Sequence, residues 1–427
     1  MYIKHLRYLA IFLVCSLRTF GQTPSYCDRL IQAAKEGLTT TVLDLLDKGI
    51  NVDCRGAGQY TALIAAAKTG QVEMVKLLCS KKADVNAQTE FRDPEEGYTA
   101  LLWAIDKQNP LIVEVLLENG ADANIVDGWG ESPLMYAAWK NNLPFVRSLI
   151  AHGADASYRK PADGRSALFN AMHNKNLSMV EFLVSHGADP KIKDSDGRNL
   201  LMRAADSFLE GVKYCVNKGI GINDRSKRGI TAIHCAAGND SDEASAILRF
   251  LIEMGGEVSA RDDSGGTPLM EAARAAAPGA INILINSGAN VKDRDNTGST
   301  ALHYAAMGRG TECKNDSVIS LLSRGAEIEA RDNEGRTPLL VASKHGEVPA
   351  LKELIRHKAN VNAQDVYGLT GLMHAARENN VEALKLLLKS GADPDIKENS
   401  GRTAAMIAKE TARTREAYNL LKDFISK

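Results

Sequence analysis

"GLTGLMHAARENNVEALKLLLKSGADPDIKENS", residues Gly368–Ser400, contains the grammar of the whole chain. Thr370 stands where a helix N-cap belongs, its hydroxyl available to a free backbone N–H of the first turn. GLMHAAREN reads as a short helix with Leu372, Ala375 and Ala376 on one side. VEALKLLLKS reads as a second helix, with Val381, Leu384, Leu387 and Leu388 along one face. Gly391 supplies the left-handed position that ends it, and ADPDIKENSG is a turn-rich connection. Neither helix is long enough to persist alone in water, so stability has to come from stacked neighbours.

The opening phrase G-x-[T/S/N]-x-L, loosened in a few copies, recurs at Thr61, Thr99, Ser132, Ser166, Asn199, Thr231, Thr267, Thr300, Thr337, Thr370 and Thr403. Seven of the ten intervals are 32 to 34 residues and the others are 36 to 38, which marks a repeat array rather than separate globular cores. The variants TPLMEAA (Thr267–Ala273), TALHYAA (Thr300–Ala306), TAIHCAA (Thr231–Ala237) and TPLLVAS (Thr337–Ser343) carry a family signature. So do the closings at His152–Asp155, His186–Asp189 and Ser287–Asn290. The units resemble ankyrin repeats over roughly residues 28–425. The resemblance implies an all-α repeat solenoid, a stack of about twelve helix-turn-helix units joined by hairpin-like fingers.

Residues 28–54 read as an N-terminal capping unit without the usual opening, and residues 401–427, with Lys409, Arg413 and Glu416 among apolar positions, as the C-terminal cap. The expected organisation is a signal peptide at 1–21, a linker and capping repeat at 22–57, the array at 58–400 and the closing cap at 401–427. Asn199–Cys215 is the most degenerate copy and reads as a softer joint. Insertions fall at Asn86–Tyr98, Ala237–Ala246 and Gly308–Ser317. The first is expected to lengthen a finger and the other two to lengthen helix–helix loops.

The first residues follow a different rule. Lys4 and Arg7 precede the apolar run Leu9–Leu17, and RTFGQ follows, the order of a secretory signal with cleavage between Gly21 and Gln22. An uncleaved anchor is the rival, although Arg18 interrupts the run short of a membrane span. Lipid attachment at Cys15 is a weaker one, with Val14 before it. The expectation is export to the periplasm or extracellular space, with a mature chain that does not insert into membrane. A net charge of −1 gives no electrostatic case for nucleic acid.

No nucleotide-binding, zinc-protease or serine-hydrolase motif is present. Asp293, Asp295 and Gly298 imitate the start of a calcium loop, but Tyr304 stands where the closing glutamate belongs. His234 and His303 occupy the T-x-L-H slot, which the resemblance assigns to supporting the turn. His152 and His186 precede helix-ending glycines. No catalytic residue, metal or cofactor is expected. Cys79 and Cys215 align with core leucines, Cys235 lies in a helix, and Cys313 falls in an insertion. Cys27 and Cys54 bracket the capping unit and either pair as a disulfide or stay as thiols.

The repeat also supplies its own control for the aromatic residues. Positions aligned with Trp139 are mostly polar (Lys68, Asp106, His173, Arg274, Arg377), and so are those aligned with Trp129 (Asp196, Arg228, Ser264, Glu334). Both tryptophans are therefore expected on the surface, with Trp103 packed inside. Since tryptophan and tyrosine are enriched at binding hot spots, we expect a partner-binding patch of Tyr98, Trp129 and Trp139. His173 stands at its edge, and Asp93, Glu95 and Glu96 form an acidic rim. The alternative is that the tryptophans only cover neighbouring fingers. The resemblance implies that fingers and first helices line a concave, protein-binding face. The reading is a non-catalytic, monomeric protein-interaction scaffold; a small-molecule, haem or metal-binding chaperone is the alternative.

Overall fold

The computed structural model describes residues 25–56, 59–90, 96–308, 314–410 and 412–425. Within them, 24 α-helices pair as twelve helix-turn-helix units, without a β-strand; a single isolated bridge joins Lys193 to Asn199. The protein is an all-helical repeat stack. It divides into two compact units, residues 1–189 and 190–427, the second opening just before the degenerate copy. The first unit holds the helix pairs from Tyr26–Glu36 to Leu177–Ser185, and the second those from Leu200–Ala204 to Arg415–Ile425.

The ten repeats that open from Thr61 to Thr370 each start on a buried hydroxyl or amide. Thr370 is extended (φ −90°, ψ 171°) and its Oγ1 accepts the Met373 N–H. Thr61, Thr99, Ser132, Thr267 and Thr337 make the same bond. At Thr231 and Thr300 the third helical residue is histidine, whose Nδ1 turns back to the threonine. The Nε2 of that histidine bonds the next repeat through Gly266 O (3.3 Å) or Arg336 O (2.9 Å). His152 and His186 place Nδ1 on carbonyls of the preceding turn.

The small pairs Ala66–Ala67, Ala137–Ala138, Ala272–Ala273 and Ala305–Ala306, all at most 2% exposed, allow neighbouring first helices to approach closely. Leucines such as Leu78, Leu116, Leu149, Leu284 and Leu387 are fully buried, each worth about 1.5–3 kcal/mol. At Gly391 (φ +85°) an added Cβ would meet nothing, so conformation alone demands glycine. At Gly265 (φ +78°) the same atom would lie 2.9 Å from Asn296 N in the next finger.

The insertion at Ala237–Ala246 corrects one expectation. Its second helix starts at the ordinary offset but runs Asp242–Glu253, 12 residues where Val381–Lys389 has 9. The extra residues thus became helical, because they continue an amphipathic pattern whose Ile247, Leu248 and Leu251 are buried.

Cys27 and Cys54 are joined as a disulfide, with Cα atoms 5.7 Å apart, tying the first helix to the chain beyond the second. Cys79 and Cys215 lie in the core, and burial pushes the Cys215 thiol up to about 12. Cys313, Cys15, Gly21 and Gln22 lie outside the described residues.

Candidate protein-binding surface

The fingers position the exposed face. In the finger that carries Trp129, Asp127 is 4% exposed and its Oδ1 accepts the N–H groups of Trp129 (2.9 Å) and Glu131 (2.8 Å). Asp295, Asp332 and Asp365 hold their fingers in the same way. Asp295, which in the sequence imitates the start of a calcium loop, is committed to these bonds. Adjacent fingers are tied by one backbone bond, Gly128 N–H to Glu96 O (2.8 Å) in the first unit and Asn296 N–H to Ser264 O (2.9 Å) in the second.

A column of arginine and glutamine side chains adds a further tie that the sequence reading missed. The guanidinium of Arg331 donates to Gly335 O (2.9 Å) in its own finger and to Gln364 O (2.7 Å) in the next. Arg55, Gln88, Arg261, Arg294 and Gln364 repeat the pattern. The signal was available as a column at the repeat period, but nothing in it stated which carbonyls the side chains reach.

The residues of the expected patch separate into three settings within the first unit. Trp139 is 55% exposed and stacks on His173 of the next repeat, the rings 5.5 Å apart and 7° from parallel. Trp129 is 56% exposed at its finger and makes no ring contact with Trp139. Tyr98 is half-buried, its ring 5.0 Å from Trp103 and 5.8 Å from Tyr136. Trp103 is 5% exposed and belongs inside. Glu96 is exposed; Asp93 and Glu95 lie outside the described residues.

Beneath the exposed rings runs a chain of polar contacts. The hydroxyls of Tyr98 and Tyr136 lie 2.6 Å apart, and Tyr136 donates to Asp127 Oδ2 at 2.8 Å. Burial, then the bonds to Tyr98 and Asp127, push the Tyr136 phenol far above its usual range, so it stays protonated. The finger carrying Trp129 is thereby anchored to the first helix of its own repeat. Tyr304 reaches Asp295 (2.6 Å) and His374 reaches Asp365 (2.9 Å) from the equivalent position, so the tether is a device of the repeat.

Lys68 lies over the Trp103 ring at 4.3 Å and Lys107 at 5.2 Å. Burial and the charges of Lys107 and Lys35 lower the Lys68 ammonium. Asp106 takes Lys140 at 2.8 Å and Lys107 at 3.3 Å. Burial alone would raise its carboxyl, but bonds from Lys140 and Lys107 bring it below the usual range. The surface thus presents the exposed rings of Trp129 and Trp139 beside a mixed-charge border. Among the described residues, no group of three or more His, Cys, Asp or Glu side chains is placed to hold a metal. No described helix is long and apolar enough to cross a membrane.

The family description "Ankyrin repeats (3 copies)" matches the chain in overlapping windows running from residues 30–127 to 346–423. The chain belongs to the ankyrin repeat family. It is similar to the human ankyrin repeat and SOCS box protein 6, 31% identical over 247 residues, covering 54% of this chain and 48% of that protein. The B-cell lymphoma 3 protein homolog of Mus musculus is 31% identical over 150 residues, 35% of this chain and 29% of that protein. A palmitoyltransferase, AKR1 of Lachancea kluyveri, is 30% identical over 134 residues, 31% of this chain and 18% of that protein. The chain spans less than half the length of each of these relatives. Ankyrin repeat stacks generally serve protein–protein interaction and are typically not catalytic.

Proposed function

We propose that this ankyrin repeat protein is an exported, non-catalytic scaffold that binds a partner protein as a monomer through the finger and first-helix face of its first unit. The observation that carries the reading is the exposure of Trp129 and Trp139 at slots that most other repeats fill with polar residues, with Trp139 already stacked on His173. Two rigid aromatic anchors cost little side-chain entropy on binding, and truncating one such anchor costs ~2 kcal/mol or more. The half-buried Tyr98–Tyr136–Asp127 chain holds the finger in place for that contact. Glu96 is the described member of the acidic rim, which steers encounter rather than setting affinity.

Export to the periplasm or extracellular space rests on the order of the first 21 residues. The Cys27–Cys54 bond supports it, since such bonds persist in oxidising compartments.

The test is cross-linking affinity purification from cell envelope and culture fluid, comparing wild type with a folded Trp129→Ser/Trp139→Lys variant. A protein captured by wild type and lost by the variant is the expected result. Identical captures would move the binding face elsewhere. Mass spectrometry of the secreted form should find Gln22 at its N-terminus; an intact Met1 in a cytosolic pool would overturn the export.

A further inference from the structure

In the second unit one repeat has short residues at both positions of the finger tether. In the repeats opening at Ser132, Thr300 and Thr370, a Tyr or His four residues after the cap reaches a finger aspartate: Tyr136 to Asp127, Tyr304 to Asp295, His374 to Asp365. In the repeat opening at Thr231 both partners are short. Cys235 fills the helix position and Ser226 the finger position. Ser226 Oγ still accepts the finger N–H groups of Arg228 (3.3 Å) and Ile230 (3.0 Å), so the finger folds normally. What is missing is the bulk of the tether, and a cavity of about 640 Å³ lies there, lined by Cys235, Ser226 and the neighbouring fingers.

An arginine enters that space. Arg198 immediately precedes its repeat's cap, as Arg336 and Arg402 do. Those two pair with the acid that begins their own finger, Arg336 with Asp332 at 2.7 Å and Arg402 with Glu398 at 2.9 Å. Arg198 also has such an acid, Asp194, but Asp194 takes only backbone N–H groups, from Asp196 (3.0 Å) and Arg198 itself (2.8 Å). The half-buried guanidinium turns instead to the next repeat, where its side-chain partner is Cys235 Sγ at 3.6 Å. Burial pushes that thiol up to about 11, so it is neutral near pH 7 and does not balance the charge. Arg228 is exposed on the same lining. Three of the four acids on the lining are engaged, Glu271 with Arg274, Asp206 with Arg203, and Asp262 with the N–H groups of Ser264 and Gly266, while Asp196 is exposed at its finger.

We infer that this cavity receives a glutamate or aspartate side chain from an extended acidic segment of a protein partner, with Arg198 as the carboxylate ligand and Arg228 as a second cation at the rim. Asp206 and Asp194 act on Arg198 only from beyond ion-pair distance, and a guanidinium so placed matches a planar carboxylate by two parallel N–H···O bonds, the strong kind of charge-assisted pair. The space left by the missing tether gives the carboxylate access. The opening between fingers suits a chain rather than an enclosed small molecule. This site lies wholly in the second unit and does not depend on Trp129 or Trp139.

The test is fluorescence anisotropy on the full chain with a labelled peptide of alternating glutamate and glycine, its glutamine counterpart, and glutarate as competitor. Binding of the glutamate peptide and not the glutamine peptide is expected. Arg198→Gln should weaken it at least about tenfold, and Arg198→Lys should restore part of the loss. A second variant, Ser226→Asp with Cys235→Tyr, rebuilds the tether while keeping Arg198, and should abolish binding without loss of thermal stability. Trp129→Ser/Trp139→Lys should leave the affinity unchanged, which separates this site from the patch of the first unit. No binding by wild type up to about 1 mM, or affinity unmoved by both Arg198→Gln and the rebuilt tether, would overturn the inference. Glutarate competing within about tenfold of the peptide would overturn the peptide as source of the carboxylate.

Discussion

Breaking the Cys27–Cys54 bond should loosen the first repeat and leave the others closed. A terminal repeat has a neighbour on one side only, so its stability is its own plus a single interface. Its contribution to that interface is modest: Leu30, Ala33, Ala34, Val42 and Leu45, all at most 3% exposed. The Ser25–Asp28 capping box at the helix start adds a little more. The disulfide spans a sequence separation of 27 residues. In the chain-entropy account a loop of that size restricts the opened segment by about 3.5 kcal/mol at 25 °C. Contacts that survive in the opened state reduce this, so about 2–3.5 kcal/mol is expected for Cys27→Ser with Cys54→Ser.

That range corresponds to a rise of roughly 30- to 400-fold in the opening equilibrium of the first repeat. Hydrogen exchange read by mass spectrometry measures it directly. Peptides within 25–56 should lose protection by that factor in the double variant, and in wild type treated with reductant. Peptides covering Ala100–Glu118 serve as the internal control and should not change. Two results refute the reasoning: protection in 25–56 altered by less than about threefold, or an equal loss across every repeat of the first unit, which would make the bond a global rather than a local clamp.

Three further outcomes follow from named contacts. Burial lowers the imidazoles of His234 and His303, so the unfolded chain takes up protons first as pH falls. Stability should be full above about pH 6.5 and decline below it by up to ~1.4 kcal/mol per pH unit for each histidine. Urea unfolding at graded pH should show this slope reduced in His303→Asn. Tyr136→Phe removes the hydroxyl between Tyr98 and Asp127 and should cost about 1–2 kcal/mol while leaving the Asp127 bonds to Trp129 and Glu131 in place; calorimetry checks the cost. Ser132→Ala loses a working cap and should destabilise by ~1 kcal/mol, whereas Ser166, buried with an unpaired hydroxyl, should tolerate Ala without loss or with a gain; paired denaturant titrations distinguish them.

The stack was legible because its causes are periodic. A cap, an alanine pair, a leucine stripe and a closing glycine at a nearly fixed interval admit one architecture, and each is a local property of residue type. The exposure of Trp129 and Trp139 was legible for the same reason, since seven other copies show what the first slot faces and ten show the second. Less legible was anything that depends on where a long side chain goes. Tyr98 shares a patch with the tryptophans when read as a finger aromatic, yet its hydroxyl finds Tyr136 and its ring finds Trp103, which draws it half inside. The insertion at Ala237–Ala246 was read by its length rather than its amphipathic pattern, and so it was placed in a loop instead of a helix.

Arg198 makes the limit clearest. It shares a column with Arg336 and Arg402, and a column predicts one behaviour. Those two close on their own finger acids, while Arg198 crosses to the next repeat because Cys235 is too small to occupy the space. The deciding residue lies 37 positions away, in another column. In a repeat protein the period therefore encodes the scaffold. Function is sought where two columns deviate together and their deviations meet in space, as Ser226, Cys235 and the freed arginine do here.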